Sequence, residues 1–237
     1  PGLPAVRLDP LLKLRNLNSL SDEDMVNLQR ANLMLSSSPN PSVETLLHAF
    51  LPHKFVDHTH ATPFLVLANL KNYKEITEQV FGNKFCIVPY IMPGFKLSKK
   101  AIEIYEKNKD VEAMLLVNHG YFTWGDTAKL SYEKVIEHSN ELDIFLSKNK
   151  KIYQAKSVKK INFNYQDFIS IFKKNILKHS NDASYSPVFD LRNDSFALDF
   201  MERKDLLQLS KKGVSSPDHV IRIKKVPIIL DFSDNKF

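Results

Sequence analysis

Apolar positions along the chain follow two rhythms, and their alternation predicts a mixed α/β fold. Val43, Leu46, Leu47, Phe50 and Leu51 recur at i, i+3, i+4, i+7 and i+8, one stripe of a helix that starts near Ser42 and stops at Pro52. Phe55 to His60 alternates instead, with Val56, His58 and His60 on one face and Phe55, Asp57 and Thr59 on the other, as a strand requires. Upstream, Ser21 followed by Asp22, Glu23 and Asp24 reads as the cap and acidic first turn of a helix leading into Met25 to Leu35. Residues 1–20, punctuated by Pro1, Pro4 and Pro10, read as irregular. Downstream, helices over 73–81 and 98–107 alternate with strands over 85–90 and 113–117. Tyr121 to Trp124 reads as a paired strand and 127–146 as a long helix, with Val135, His138, Leu142 and Phe145 on its core stripe. After Ser147 the chain becomes rich in Lys, Asn and Ser, which divides it into a core over 1–150 and a C-terminal extension over 151–237 packing on that core. Within the extension, 166–178 and part of 196–212 read as helices, and 215–222 as a turn into a strand.

Composition narrows the class. A chain of 237 residues, 43% hydrophobic and 25% charged, can bury a sizeable core and matches a soluble, cytoplasmic protein. No apolar run approaches the ~20 residues that cross a membrane. The net charge of +6 comes from lysines interspersed with acids, as around Lys148–Lys151 and Lys156–Lys160. Such runs are solvated faces rather than the clustered basic face with exposed aromatics that nucleic acid needs. The one cysteine, Cys86, excludes an intrachain disulfide, and its place in the apolar run Phe85 to Val88 predicts a buried, inert thiol. Six glycines form neither a Gly-x-Gly-x-x-Gly nor a P-loop, so a nucleotide fold has no support.

The candidate chemistry lies in Asp57-His58-Thr59-His60, with Glu44 upstream and His119-Gly120 downstream. Three imidazoles and a carboxylate suit a catalytic divalent transition metal. On one strand face, His58 and His60 project side by side with Cα atoms roughly 7 Å apart, within reach of one ion. His119 stands at the end of an apolar strand, where Gly120 lets the backbone turn sharply. Glu44 sits in the first turn of its helix, off the buried stripe, where it can point into a cavity that His48 also lines. Asp57 is a weak candidate to orient an imidazole, because alternation turns it away from His58.

Three segments carry a family resemblance. They are Pro41-Ser42-Val43-Glu44 through Lys54 with Val56-Asp57-His58-Thr59-His60-Ala61, then Leu116-Val117-Asn118-His119-Gly120 through Thr127, and Ser216-Pro217-Asp218-His219-Val220-Ile221-Arg222. Together they resemble the class II aldolase/adducin family, closest to the branch in which a rhamnulose-1-phosphate aldolase is fused to a short-chain dehydrogenase. The resemblance implies an αβα sandwich around a mostly antiparallel sheet, assembled as a homotetramer. It implies that His58, His60 and His119 hold a divalent metal, Zn2+ first among the candidates, and that Glu44 ligates it at rest and acts as base in turnover. It also implies that the loop with Ser36, Ser37, Ser38, Asn40 and Ser42 contacts the substrate phosphate, and that the chain belongs to a longer one with a dehydrogenase domain. His219 can return with the tail to contact substrate. The implied reaction is cleavage of a ketose 1-phosphate, such as rhamnulose 1-phosphate, to dihydroxyacetone phosphate and an aldehyde. Retro-aldol cleavage leaves an enediolate, whose charge a dication stabilises as a Lewis acid. Sugar-phosphate epimerases and dehydratases share the ligand set, and an adducin-like scaffold shares the fold, so these stand as alternatives.

Overall fold

A computed structural model describes residues 3–149, 164–182 and 184–230. Of the two lysine runs read above as solvated, Lys156–Lys160 and the Lys150–Lys151 end of the first lie outside the described residues. Four strands form one sheet: β1 (Phe55–Thr59), β2 (Phe85–Val88), β3 (Ala113–Leu116) and β4 (Gly120–Gly125), in the order β1-β4-β3-β2. β4 pairs antiparallel with both β1 and β3, while β2 runs parallel to β3, so the sheet is mostly antiparallel.

The period of two decides what covers each face. Met114, Leu116, Phe122 and Trp124 face a core shared with α1 (Leu8–Lys13), α2 (Asp22–Ala31), α3 (Thr45–Phe50) and α6 (Phe95–Lys107). Ala113, Leu115 and Tyr121 face a second core shared with α4 (Thr62–Asn69), α5 (Tyr73–Phe81) and α7 (Ala128–Asn149). Helices on both faces make the αβα sandwich. Both central strands are therefore fully buried, which explains why Ala113 to Leu116 reads as an unbroken apolar run. In the second core, Phe64 stacks on Tyr121 with ring centroids 3.6 Å apart, and His138 meets the edges of Phe81 and Phe85. Burial holds His138 below its ordinary pKa and pushes the Cys86 thiol up to about 12, so both are inert core groups as expected.

Several expectations need correction. The helix expected from Ser42 begins at Thr45, so Val43 lies outside it and is exposed. α1 and α4 were not legible from the pattern. The second of these is apolar nearly all round, which hides a helical period, and its start is marked only by Pro63 in the first turn. The tail over 215–222 is a helix, α11 (Pro217–Arg222), and not a strand: the Ser216 hydroxyl accepts from the His219 N–H, and Pro217 opens the first turn. Capping outweighs the β-branched Val220-Ile221 pair there. The helix expected within 196–212 is two short ones, α9 (Ser195–Met201) and α10 (Leu206–Ser210), preceded in the chain by α8 (Tyr165–His179).

By compactness the chain forms two units: Pro1–Lys150 with Val214–Lys224, and Lys151–Gly213 with Lys225–Phe237. The tail helix α11 thus belongs to the unit that contains the sheet. Among the described residues, no helix is long and apolar enough to cross a membrane.

Candidate metal centre

β1 and the residue just past its end deliver two imidazoles by simple alternation. Val56 packs against the α3 side of the sheet, so His58 and His60, two and four residues on, emerge on that side as well. His58 pairs with Phe122 across the strands and lies stacked on its ring, with centroids 4.2 Å apart. The turn between β3 and β4 delivers His119. Asn118 takes the left-handed conformation there (φ 57°), which Asn tolerates better than most residues, and its N–H donates to the Ala68 carbonyl. Glu44 comes from the opposite direction, at the N-cap of α3, where the Ser42 hydroxyl accepts from its backbone N–H.

These four side chains converge. Each offers a ligand atom, and the atoms all lie within 4.8 Å of one another. Glu44 Oε1 is 2.5 Å from His119 Nε2 and 3.2 Å from His58 Nε2. His58 Nε2 and His60 Nε2 are 3.0 Å apart.

The proton positions test whether a metal fits. His58 Nδ1–H donates to the Tyr121 carbonyl (3.0 Å), and His60 Nδ1–H donates to the Asp218 carboxylate (2.7 Å). Both acceptors lack protons to give, so in neutral rings both Nε2 atoms carry lone pairs. The two Nε2 atoms stand 3.0 Å apart, close enough to share one hydrogen or one cation. His119 is 2% exposed, and neither of its ring nitrogens has a hydrogen bond of proper geometry, despite the nearby Glu44 oxygen. Ligand atoms crowded this closely, with the buried His119 ring lacking any hydrogen bond of proper geometry, are the arrangement a shared cation satisfies, and imidazole with carboxylate is the donor set of zinc and its neighbours. Burial pushes the Glu44 carboxyl up, but the close His119 and His58 rings outweigh it and hold the group well below the usual carboxylate range. It is ionised at neutral pH.

Gly120 has a steric job. A Cβ there would lie 2.7 Å from both His60 Cδ2 and the Thr59 carbonyl, and 3.3 Å from His58 Cε1. Gly120→Ala is therefore expected to displace the two rings and lower metal affinity at least tenfold while the protein stays folded, as read by metal titration alongside far-UV circular dichroism. Unchanged affinity would show that the rings do not need this close approach.

The remaining candidates are less tightly placed. Ser36, Ser37, Asn40 and Ser42 are exposed and Ser38 is half-buried; the Asn40 side chain accepts from Arg30 (2.8 Å). The His219 ring is engaged with the Ser216 hydroxyl (2.5 Å) and is not one of the four converging groups. His48 is half-buried against Phe122. Asp57, on the other strand face, is not the carboxylate that reaches an imidazole; Asp218 is. Asp218 was missed although it lies in the quoted tail motif, because a strand reading of 215–222 gave no reason to aim it at His60.

Residues 15–146 match the Class II Aldolase and Adducin N-terminal domain, more than half of the chain. The chain belongs to the class II aldolase and adducin family. Residues 166–237 match a further family domain, the second domain of class II aldolases. A solved relative, the N-terminal class II aldolase domain of a conserved protein from Thermoplasma acidophilum, is 34% identical, with a TM-score of 0.56 over 60% of this chain and 66% of that one. An aldolase II superfamily protein from Pseudomonas syringae is 14% identical over 64% of this chain and 62% of that one, with a TM-score of 0.42. Among curated proteins, the uncharacterized oxidoreductase YuxG of Bacillus subtilis is 32% identical over 96% of this chain. The chain spans about a third (34%) of the length of YuxG. In this family, the Glu44, His58, His60 and His119 cluster is a set that can hold a metal ion.

Proposed function

We propose that the chain is a metal-dependent sugar-phosphate aldolase, which cleaves a ketose 1-phosphate, rhamnulose 1-phosphate being favoured, to dihydroxyacetone phosphate and an aldehyde. The observation that carries this reading is the convergence of Glu44, His58, His60 and His119, whose ligand atoms all lie within 4.8 Å of one another. In this reading the three histidines hold Zn2+, and Glu44 is the catalytic acid/base. When bound, the metal supplies Lewis acidity toward the negative charge that develops on substrate oxygens. Glu44, ionised and partly shielded from solvent, takes the proton from the C4 hydroxyl. The C3–C4 bond then breaks, its electron pair passes toward the C2 carbonyl, and a proton returned to C3 completes dihydroxyacetone phosphate. In the same reading the Ser36–Ser42 loop, which precedes Glu44 in the chain, holds the phosphate through its hydroxyls and amides, with His219 as a further substrate contact. We further propose a homotetramer, and a longer polypeptide that adds a dehydrogenase domain, in keeping with the oxidoreductase name of YuxG.

The test is to load the protein with Zn2+, Mn2+ or Co2+, confirm about one ion per chain by elemental analysis, and assay ketose 1-phosphates for release of dihydroxyacetone phosphate. Release that depends on metal is the expected result. Conversion of substrate to an isomer without that product would replace the aldolase reading with an epimerase. Stoichiometric metal with no turnover of any sugar phosphate would favour a scaffold.

A further inference from the structure

We propose that Asp218 is a positioning residue of the metal centre, fixing the tautomer and ring plane of His60 from a tail segment far along the chain. The inference rests on reading Glu44, His58, His60 and His119 as metal ligands. Asp218 Oδ2 lies 2.7 Å from His60 Nδ1. A carboxylate that holds the Nδ1 proton leaves Nε2 as the lone-pair atom, aims it, and raises its basicity as a ligand. His58 receives the equivalent service from the Tyr121 carbonyl, so each of these two imidazoles has its outer nitrogen anchored.

The segment that presents Asp218 is itself built into the sheet unit. Ser216, 4% exposed, caps α11 and thereby fixes the first turn in which Asp218 sits. One residue earlier, the Ser215 carbonyl accepts from Asn69 Nδ2 (3.0 Å), and Asn69 Oδ1 accepts from Asn118 Nδ2 (2.9 Å). Asn118 is the left-handed residue that turns the chain into His119. The same five-residue segment, Ser215 to His219, is thus tied to His60 through a carboxylate and to the His119 turn through two side-chain amides. A tail that merely packed against the sheet would have no need to meet both ligand-bearing segments with polar groups.

The test compares full-chain wild type, Asp218→Ala, Asp218→Asn and the control Asp57→Asn. Zn2+ affinity is measured by competition with a chromogenic chelator, and the visible spectrum of the Co2+-loaded protein reports the ligand field. Asp218→Ala is expected to weaken Zn2+ binding ten- to a hundred-fold and alter the Co2+ spectrum. Asp218→Asn, whose amide oxygen still accepts from Nδ1–H, is expected to recover part of the loss, and Asp57→Asn to match wild type. Should Asp218→Ala fail to fold, Asp218→Asn decides: weaker binding with an unchanged metal-free melting temperature supports the role, and wild-type affinity overturns it. Equal losses in Asp57→Asn would reduce the effect to general charge and overturn it too. Wild type that takes up no metal would overturn the ligand reading, and the role of Asp218 with it; wild type that binds while both Asp218 variants bind equally well removes Asp218 alone.

Discussion

His58→Ala is expected to leave the protein folded but unable to retain metal, and without the proposed aldolase activity. His58 is central to the cluster: its Nε2 lies 3.0 Å from His60 Nε2 and 3.2 Å from the Glu44 carboxylate. Removing it takes away the donor that stands between His60 and Glu44, within 3.2 Å of each, and also deletes the ring that stacks on Phe122. The loss has a thermal signature. An ion present at a thousand times its dissociation constant stabilises the native state by about 4 kcal/mol. For a chain of this size that corresponds to a melting shift on the order of 10 °C. Wild type should therefore melt lower after treatment with a chelator, whereas His58→Ala should melt at one temperature with or without it. A variant that still carried one ion per chain after dialysis would remove His58 from the ligand set.

Glu44→Gln separates holding the metal from using it. The three imidazoles remain, and three protein donors suffice for a catalytic zinc site, so metal content should stay near that of wild type. What the amide cannot do is accept a proton. We expect kcat to fall by roughly 10²–10⁴, the usual contribution of a positioned acid/base, with KM little changed. The measurement is steady-state kinetics on variant and wild type of matched metal content. Activity within a few-fold of wild type would assign the proton transfer to another group. Loss of the metal itself would make Glu44 chiefly a ligand.

How much of this was legible in the sequence depended on the range of the interaction involved. Alternation over Val56, His58 and His60 is a local property of an extended chain, and it placed both imidazoles on the correct face. Burial on both sides made Ala113 to Leu116 apolar throughout and so exposed β3 and the turn that carries His119. The tail could not be read that way. Val220 and Ile221 favour a strand, yet both are exposed, so packing never acted on that preference and the Ser216 cap set the conformation. The contact from Asp218 to His60 then required knowing both that α11 is a helix and that Val214–Lys224 returns to the first unit. Neither is encoded within a window of neighbouring residues. α4 was hidden for another reason: with Phe64, Leu65, Val66, Leu67 and Ala68 in succession, polar positions that would reveal a period are absent.

The donors of the centre come from widely separated stretches: residue 44 before the first strand, 58 on it and 60 just past its end, and 119 in the hairpin of the sheet. With a single cysteine, the chain has no means of closing these stretches covalently through sulfur. An ion shared by the four side chains would close them instead, knotting the edge strand, the hairpin turn and the start of α3 into one loop-restricted unit. Such a tie penalises the unfolded ensemble much as a disulfide does. It would also bind only once the strands have found their partners. The centre would then act as a reversible staple for the sandwich, rewarding the native strand order over any other pairing.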